Sequence, residues 1–390
     1  MEPVILSTPA NAVPVGEGGT GSEAVVAAGA APVAGWGRES CNWRGLAEKV
    51  FIPVGAVLVA LIFFGSFCSL AGADPLSVYH SIYRAAFGSW YAFQNTLIRA
   101  APIMLCALCT ALPMRLGMIV IGNEGALVMG GLGTALIGTL WSSAPHYLAL
   151  ISMALAGMLL GGLWIMAVGA MKLYRGVNEV ISSLLMNYIA IAVLNHLVNG
   201  PMHDPSSLNK PSSYPIPEAN QLGNIPGSRV HFGLIFGCVA CLIAWVLIEH
   251  TTFGFKVRTI GGNLRAARIA GLAVGQVTLI TCFLAGAAAG LAGMAEVAAV
   301  QGSANESLAA GYGYAGILVA FVARQNGLGV LFISLLLGGI LASGGMLQRV
   351  NHLSDATVLV FQGIVFLVIL YSESLYGRFK LFQVPNHERR

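Results

Sequence analysis

Charge is what this sequence most lacks. Lys and Arg number 20 and Asp and Glu 16 in 390 residues, 9 % of the chain, where soluble domains carry about 25 %. With 56 % hydrophobic residues and a mean hydropathy of +0.77, too little polar surface remains to cover a water-soluble core. That excludes a soluble enzyme, a nucleic-acid binder and a disordered protein, and leaves a polytopic membrane protein. Signatures of covalent chemistry are missing too. The chain has no GxxxxGK[ST] to cradle nucleotide phosphates, no HExxH, no GxSxG and no pair of carboxylates on a common face. No catalytic residue, cofactor or metal is expected. The 7 cysteines are few and odd in number. Cys106/Cys109 and Cys238/Cys241 have CxxC spacing, but no cluster of His or carboxylate ligands accompanies either pair; they read as small packing residues.

What is present is apolar and periodic. Residues 1–45, rich in Ala, Gly, Val and Pro and without Lys or Arg before Arg38, read as a disordered cytoplasmic tail. A span needs about 20 mainly apolar residues. Clear stretches lie at 50–72, 95–114, 147–171, 180–199, 230–249, 277–297, 328–348 and 356–372, with two more, 117–140 and 309–323, interrupted by Gly and polar residues. About ten transmembrane helices, two of them discontinuous, are expected to make an all-α membrane domain over 46–373, followed by a cytoplasmic tail, 374–390. The Pro-rich segment 200–229 reads as a stiffened loop on one side.

Lys and Arg sort by side. With both termini cytoplasmic, fifteen fall inside and five outside, namely Arg84, Arg99, Lys210, Arg229 and Arg349. The second and seventh spans are each followed by a Gly-interrupted one, Gly122-Asn123-Glu124-Gly125 in one half and Gly311-Tyr312-Gly313-Tyr314 in the other. An offset of five spans reverses orientation, which predicts an inverted-topology repeat of spans 2–5 and 7–10; matched interruptions of this kind point to a transport pathway.

Within that frame Glu124 is the most informative residue. An ionisable group inside an apolar span is costly unless it faces a cavity or a partner. It reads either as pathway wall, with Asn123, or as a structural helix break paired to Arg115 or to a backbone N–H. Tyr312 and Tyr314 read as ring surfaces for a planar or sugar-like solute, or as interfacial and close-packed aromatics. Ser183, Asn187, Asn195 and Asn199 lie at multiples of four residues, an inward face that lines a pore or glues helices. Gly157/Gly161, Gly286/Gly290 and Gly339/Ser343 permit close helix approach. The loop 251–275 is basic, with Lys256, Arg258, Arg265 and Arg268 and a short helix predicted over 263–270. It reads as a surface for anionic lipid or as a docking element for a cytoplasmic partner. On residues alone, a stand-alone proton-coupled transporter is the competing function, although Glu124 by itself is a poor proton relay.

Three segments together carry a resemblance. Arg175-Gly-Val-Asn-Glu-Val-Ile-Ser-Ser-Leu-Leu-Met-Asn-Tyr-Ile-Ala190, Gly262-Asn-Leu-Arg-Ala-Ala-Arg-Ile-Ala-Gly271 and Gly311-Tyr-Gly-Tyr-Ala-Gly-Ile-Leu-Val-Ala320 resemble permease subunits of bacterial ABC importers. The group is the ribose/branched-chain-amino-acid type, in the branch serving nucleosides and simple sugars, and the likeness covers roughly 50–373. It implies an inner-membrane subunit that moves a nucleoside, nucleobase or simple sugar. It also implies a second, homologous or identical permease, a periplasmic or lipid-anchored solute-binding protein, and a cytoplasmic ATP-binding subunit. The ATP-binding subunit would dock on Lys256, Arg258, Asn263, Arg265 and Arg268. The pathway residues it implies are Asn123, Glu124, Asn187, Tyr312 and Tyr314. One departure stands out: where the branch has Asn and Gln flanking the Gly-x-Glu-Gly motif, this chain has Val120 and Ala126, which weakens a nucleoside assignment.

Overall fold

The computed structural model describes residues 43–207, 210–354 and 356–373, so the expected N-terminal tail up to residue 42 and the C-terminal tail 374–390 lie outside the described residues. The described residues are helical, and the segments between helices pair only through isolated bridges. Helix α1 (Trp43–Leu70) turns into α2 (Pro75–Phe87) at 115°. Asp74 makes this corner: its carboxylate accepts the Ser77 N–H at 3.0 Å, and Pro75 supplies a first turn that needs no donor. Ser89 then caps α3 (Trp90–Met114) through the Ala92 N–H.

Next come α4 (Asn123–Leu140), α5 (His146–Arg175), α6 (Glu179–Asn199) and α7 (Gly233–His250). The loop 251–275 folds into two helices rather than the single one predicted, α8 (Thr252–Gly262) and α9 (Leu264–Ile269). The extra helix is nucleated by Thr251, whose hydroxyl caps it through the Gly254 N–H. Helix α10 (Val274–Ala295) runs on through a π-type turn to Gln301, and α11 (Tyr312–Val322), α12 (Gly327–Ala342), α13 (Gly344–Val350) and α14 (Ala356–Glu373) complete the order.

Among the described residues six helices are long and apolar enough to cross a membrane, and seven if the bent α1–α2 pair is one span. The ten stretches marked in the sequence exceed this because α11 and α14 are short, and because the first part of 117–140 is not helical. Two helices form the centre. Of their apolar stretches, 78 % of α3 and 67 % of α10 are buried, against 33 % of α5 and 28 % of α6 and α7. The outer faces of α5–α7, with Leu155, Leu159, Ile181, Leu185 and Ile243 exposed, are apolar as a lipid-facing surface requires.

Packing at the centre depends on the glycines that the sequence spaced four apart. Gly157 and Gly161 of α5 meet Gly290 and Gly286 of α10 so closely that a Cβ on Gly290 would stand 2.1 Å from the Gly157 carbonyl oxygen. Gly316 of α11 lies against Cys106 of α3, and Gly338 of α12 against Thr96 and Ala100 of α3. Backbone-to-backbone approach of this kind is how helices associate where water supplies no hydrophobic drive.

Candidate functional site

Residues 118–122 leave α3 after Gly117, whose φ of +75° reverses the chain, and run back along it without helical hydrogen bonds of their own. Buried backbone must be paired, and side chains from two neighbouring helices do this. Thr110 of α3 donates its hydroxyl to the Val120 carbonyl at 3.0 Å. Ser183 of α6 accepts the Ile121 N–H at 3.0 Å. Asn187, one turn further on, donates Nδ2 to the Ile121 carbonyl and accepts the Gly125 N–H with Oδ1, both at 2.8 Å. The first two members of the stripe, Ser183 and Asn187, are therefore a template for an unwound strand; Asn199 is exposed and bonds back to the Asn195 carbonyl.

The run-back carries Asn123 and Glu124 deep into the bundle. Asn123, fully buried, donates Nδ2 to the Cys106 carbonyl at 3.0 Å and to Thr110 Oγ1 at 2.8 Å. Cys106 sits about 12 Å from the Met114 end of α3 at 1.5 Å per residue, so Glu124, 1 % exposed, lies well inside the bundle. Of the two partners open to it in the sequence, Arg115 or a backbone N–H, the carboxylate takes the second: it caps α11, while Arg115 pairs with Glu249. Oε1 accepts the Gly311 N–H at 2.7 Å and Oε2 the Gly313 N–H at 2.6 Å. A carboxylate at a helix N-terminus satisfies orphan donors and faces the positive end of the helix dipole. Gly313 allows this grip, since a Cβ there would lie 2.4 Å from the Glu124 amide nitrogen.

Beside this joint is a cavity of about 580 Å³. Its wall is formed by Ile121, Glu124, Ile191 of α6, the turn 309–311, Tyr314, Ile317 and Leu318 of α11, and Leu359, Gln362, Gly363 and Phe366 of α14. Of the five residues expected on a pathway, Glu124 and Tyr314 line it. Asn123 and Asn187 stand behind them as supports, and Tyr312 packs half-buried against the core. Val120 and Ala126, the two departures from the family pattern, are wholly buried and outside the cavity wall, so their apolar side chains take no polarity from it. Gln362 and Phe366 were passed over as sites because α14 reads as an ordinary apolar span. Gln362, a lone amide in that span, was the available signal.

The basic loop divides in two. Asn263 caps α9 through the Ala266 N–H at 3.0 Å, and Lys256, Asn263, Arg265 and Arg268 are all exposed, next to the exposed apolar side chains of Phe255, Leu264 and Ile269. Arg258 is turned inward: it hydrogen-bonds the Ile248 carbonyl and pairs with Glu249 at 2.9 Å.

A buried carboxylate that caps a helix across the bundle, a cavity beside it and an exposed basic-apolar helix pair are thus the three features of the described residues. A sequence model of one family, the branched-chain amino acid transport system permease component, matches residues 92–370. The chain belongs to this family. It is a multi-pass membrane permease component of the ABC class, a transmembrane and non-catalytic subunit. Three relatives agree along most of their length. The chain is 32 % identical to the glucose ABC transporter permease protein of Haloferax volcanii over 82 % of itself and 87 % of that protein. It is 29 % identical to the guanosine ABC transporter permease protein of Bacillus subtilis over 75 % and 85 %. To the nucleoside ABC transporter permease protein of Lactococcus lactis it is 24 % identical over 82 % and 92 %. Membership of this class decides against the stand-alone proton-coupled transporter.

Proposed function

We propose that this permease subunit moves a nucleoside-like solute through the cavity beside Glu124, driven by an ATP-binding subunit docked on α8 and α9. The observation that carries the solute class is the cavity wall. Two aromatic side chains, Tyr314 and Phe366, five Ile or Leu side chains and two alanines surround only two polar groups, Glu124 and Gln362. A wall of this kind suits a flat solute with apolar faces and a few hydrogen-bonding edges, and the guanosine and nucleoside permeases among its relatives support it. The glucose permease supports a second reading, a simple sugar.

Ten crossings, with both termini cytoplasmic, fit this reading. The fifteen-to-five division of Lys and Arg supports the orientation. The packing supports an inverted repeat of α3, α4, α5 with α10, α11, α12. In such a repeat α5 on α10 must be matched by α12 on α3, and α4 on α10 by α11 on α3, and all four pairs are in contact. The fully active unit on this reading contains a second permease, homologous or identical, and receives solute from a periplasmic or lipid-anchored binding protein, as the resemblance to ABC importers implies.

The test is uptake by the assembled transporter in vesicles. Labelled guanosine accumulating only with ATP, and suppressed by excess nucleosides but not by glucose, is the expected result. ATP-dependent accumulation of labelled glucose with none of labelled guanosine establishes the sugar reading, and uptake that ignores ATP overturns both.

A further inference from the structure

Beyond the cavity and the exposed docking face, one ionic cluster is used by neither. Glu249, near the end of α7, holds two arginines at once. Its Oε1 meets Arg115 Nη2 at 3.0 Å and its Oε2 meets Arg258 Nη1 at 2.9 Å. Arg258 belongs to α8. Arg115 closes α3 and, besides its ion pair, forks onto the Gln325 carbonyl, from Nε at 3.2 Å and from Nη2 at 3.0 Å. Gln325 lies in the turn between α11 and α12, and both it and Arg324 are held at positive φ, 60° and 49°, which side chains with a Cβ rarely adopt. A second contact runs in parallel: Gly261 at the end of α8 lies so close to the Arg115 carbonyl oxygen that a Cβ would come within 2.1 Å of it.

These contacts join the two helices that lead to the docking face with the far end of α11. The near end of α11 is the one gripped by Glu124 at the cavity. An 11-residue helix spans about 16 Å and moves as a rod. Held at both ends, it must carry a displacement of α8 to the cavity wall at Gly311 and Tyr314.

We propose that Glu249 is the positioning residue that couples motion of α8 and α9 to α11, through Arg258 on one side and Arg115 on the other. The proposal rests on the docking reading above. A forked guanidinium contact fixes geometry as an ammonium cannot, so Arg115→Lys, which keeps the charge pair, separates coupling from mere ionic attraction.

The experiment compares Glu249→Gln, Arg115→Lys and parent transporters, each assembled with its partner subunits in vesicles. Uptake of labelled guanosine and labelled glucose is measured against ATP hydrolysed. Both variants are expected to retain the ATP-binding subunit and to hydrolyse ATP within twofold of parent, while solute moved per ATP falls at least tenfold. A ratio within twofold of parent overturns the proposal. So does a loss of uptake that merely tracks loss of assembled complex, which is the signature of a structural role. Failure of the docking reading would show elsewhere, as an Arg265→Glu/Arg268→Glu complex that keeps its ATP-binding subunit.

Discussion

Glu124 and Gly313 stand 189 residues apart in the chain, and Oε2 of the first accepts the N–H of the second at 2.6 Å. With the Gly311 bond from Oε1, this joins the two interrupted segments, one from each half, at the cavity wall. Hydrogen bonds to a charged group contribute about 1.5–3 kcal/mol each. Glu124→Gln keeps one carbonyl oxygen and brings an NH₂ against the other donor, so one bond is lost and α11 loosens at its capped end. Uptake is expected to fall about tenfold with the amount of assembled transporter near parent. Normal uptake by this variant would remove Glu124 from the working parts.

Much of this site was legible before any coordinates. A carboxylate between glycines in an apolar span, and a second Gly-rich interruption five spans on, marked the two segments that meet. What the sequence could not reveal is the direction of the meeting. Arg115, nine residues from Glu124, and a backbone N–H were both open as its partner; the chain reverses at Gly117 and carries Glu124 away along α3 to the N–H groups of Gly311 and Gly313, leaving Arg115 to Glu249. Asn187 illustrates the same limit. Its spacing showed an inward polar face, yet only the course of 118–122 shows that the face serves backbone rather than solute. The corner at Asp74 and the cap at Thr251 are local signals, and they explain α2 and α8, which hydropathy alone passed over.

Asn187→Ala tests the template role. It leaves the Ile121 carbonyl and the Gly125 N–H without their 2.8 Å partners, at a cost of about 1–3 kcal/mol for each buried group. A lower unfolding temperature in detergent is expected, with Asn187→Asp giving partial recovery because the Gly125 N–H regains an acceptor. An unchanged unfolding temperature would mean that the run-back does not need Asn187.

Gly290→Ala probes the α5–α10 contact. The added methyl meets the Gly157 carbonyl oxygen at 2.1 Å, and both sides are backbone, so the helices must separate. Overpacking costs about 1–3 kcal/mol, here at the centre of the bundle. The variant is expected to accumulate poorly and unfold at lower temperature. Gly345→Ala, where nothing lies within 4 Å of the new Cβ, is the control and is expected to match the parent.

Arg265→Glu/Arg268→Glu reverses two exposed charges on α9 without touching its cap or its buried Ala267. The fold is expected to be unaffected, because exposed side chains away from packing contribute little. Recovery of the ATP-binding subunit with the permease is expected to fall more than tenfold, and ATP-driven uptake with it. If α9 faced only anionic lipid, subunit recovery would be unchanged and the variant would differ solely in its response to lipid composition.

Tyr314 is the residue that separates stacking from hydrogen bonding in the cavity. It is exposed, 41 % in relative terms, on a wall otherwise built from aliphatic side chains, Phe366, Glu124 and Gln362. If the ring supplies a face for a flat solute, Tyr314→Phe keeps that face and retains most of the guanosine uptake. Tyr314→Leu keeps apolar bulk but removes the π surface, and uptake is expected to fall about two- to tenfold, in line with about 0.5–1.5 kcal/mol for an aromatic pair beyond its area. A sugar would reverse the order, since it depends on the hydroxyl: Tyr314→Phe would then be as defective as Tyr314→Leu. The pair of substitutions, read by uptake of labelled guanosine and labelled glucose in the same vesicles, therefore discriminates the two solute classes at one side chain.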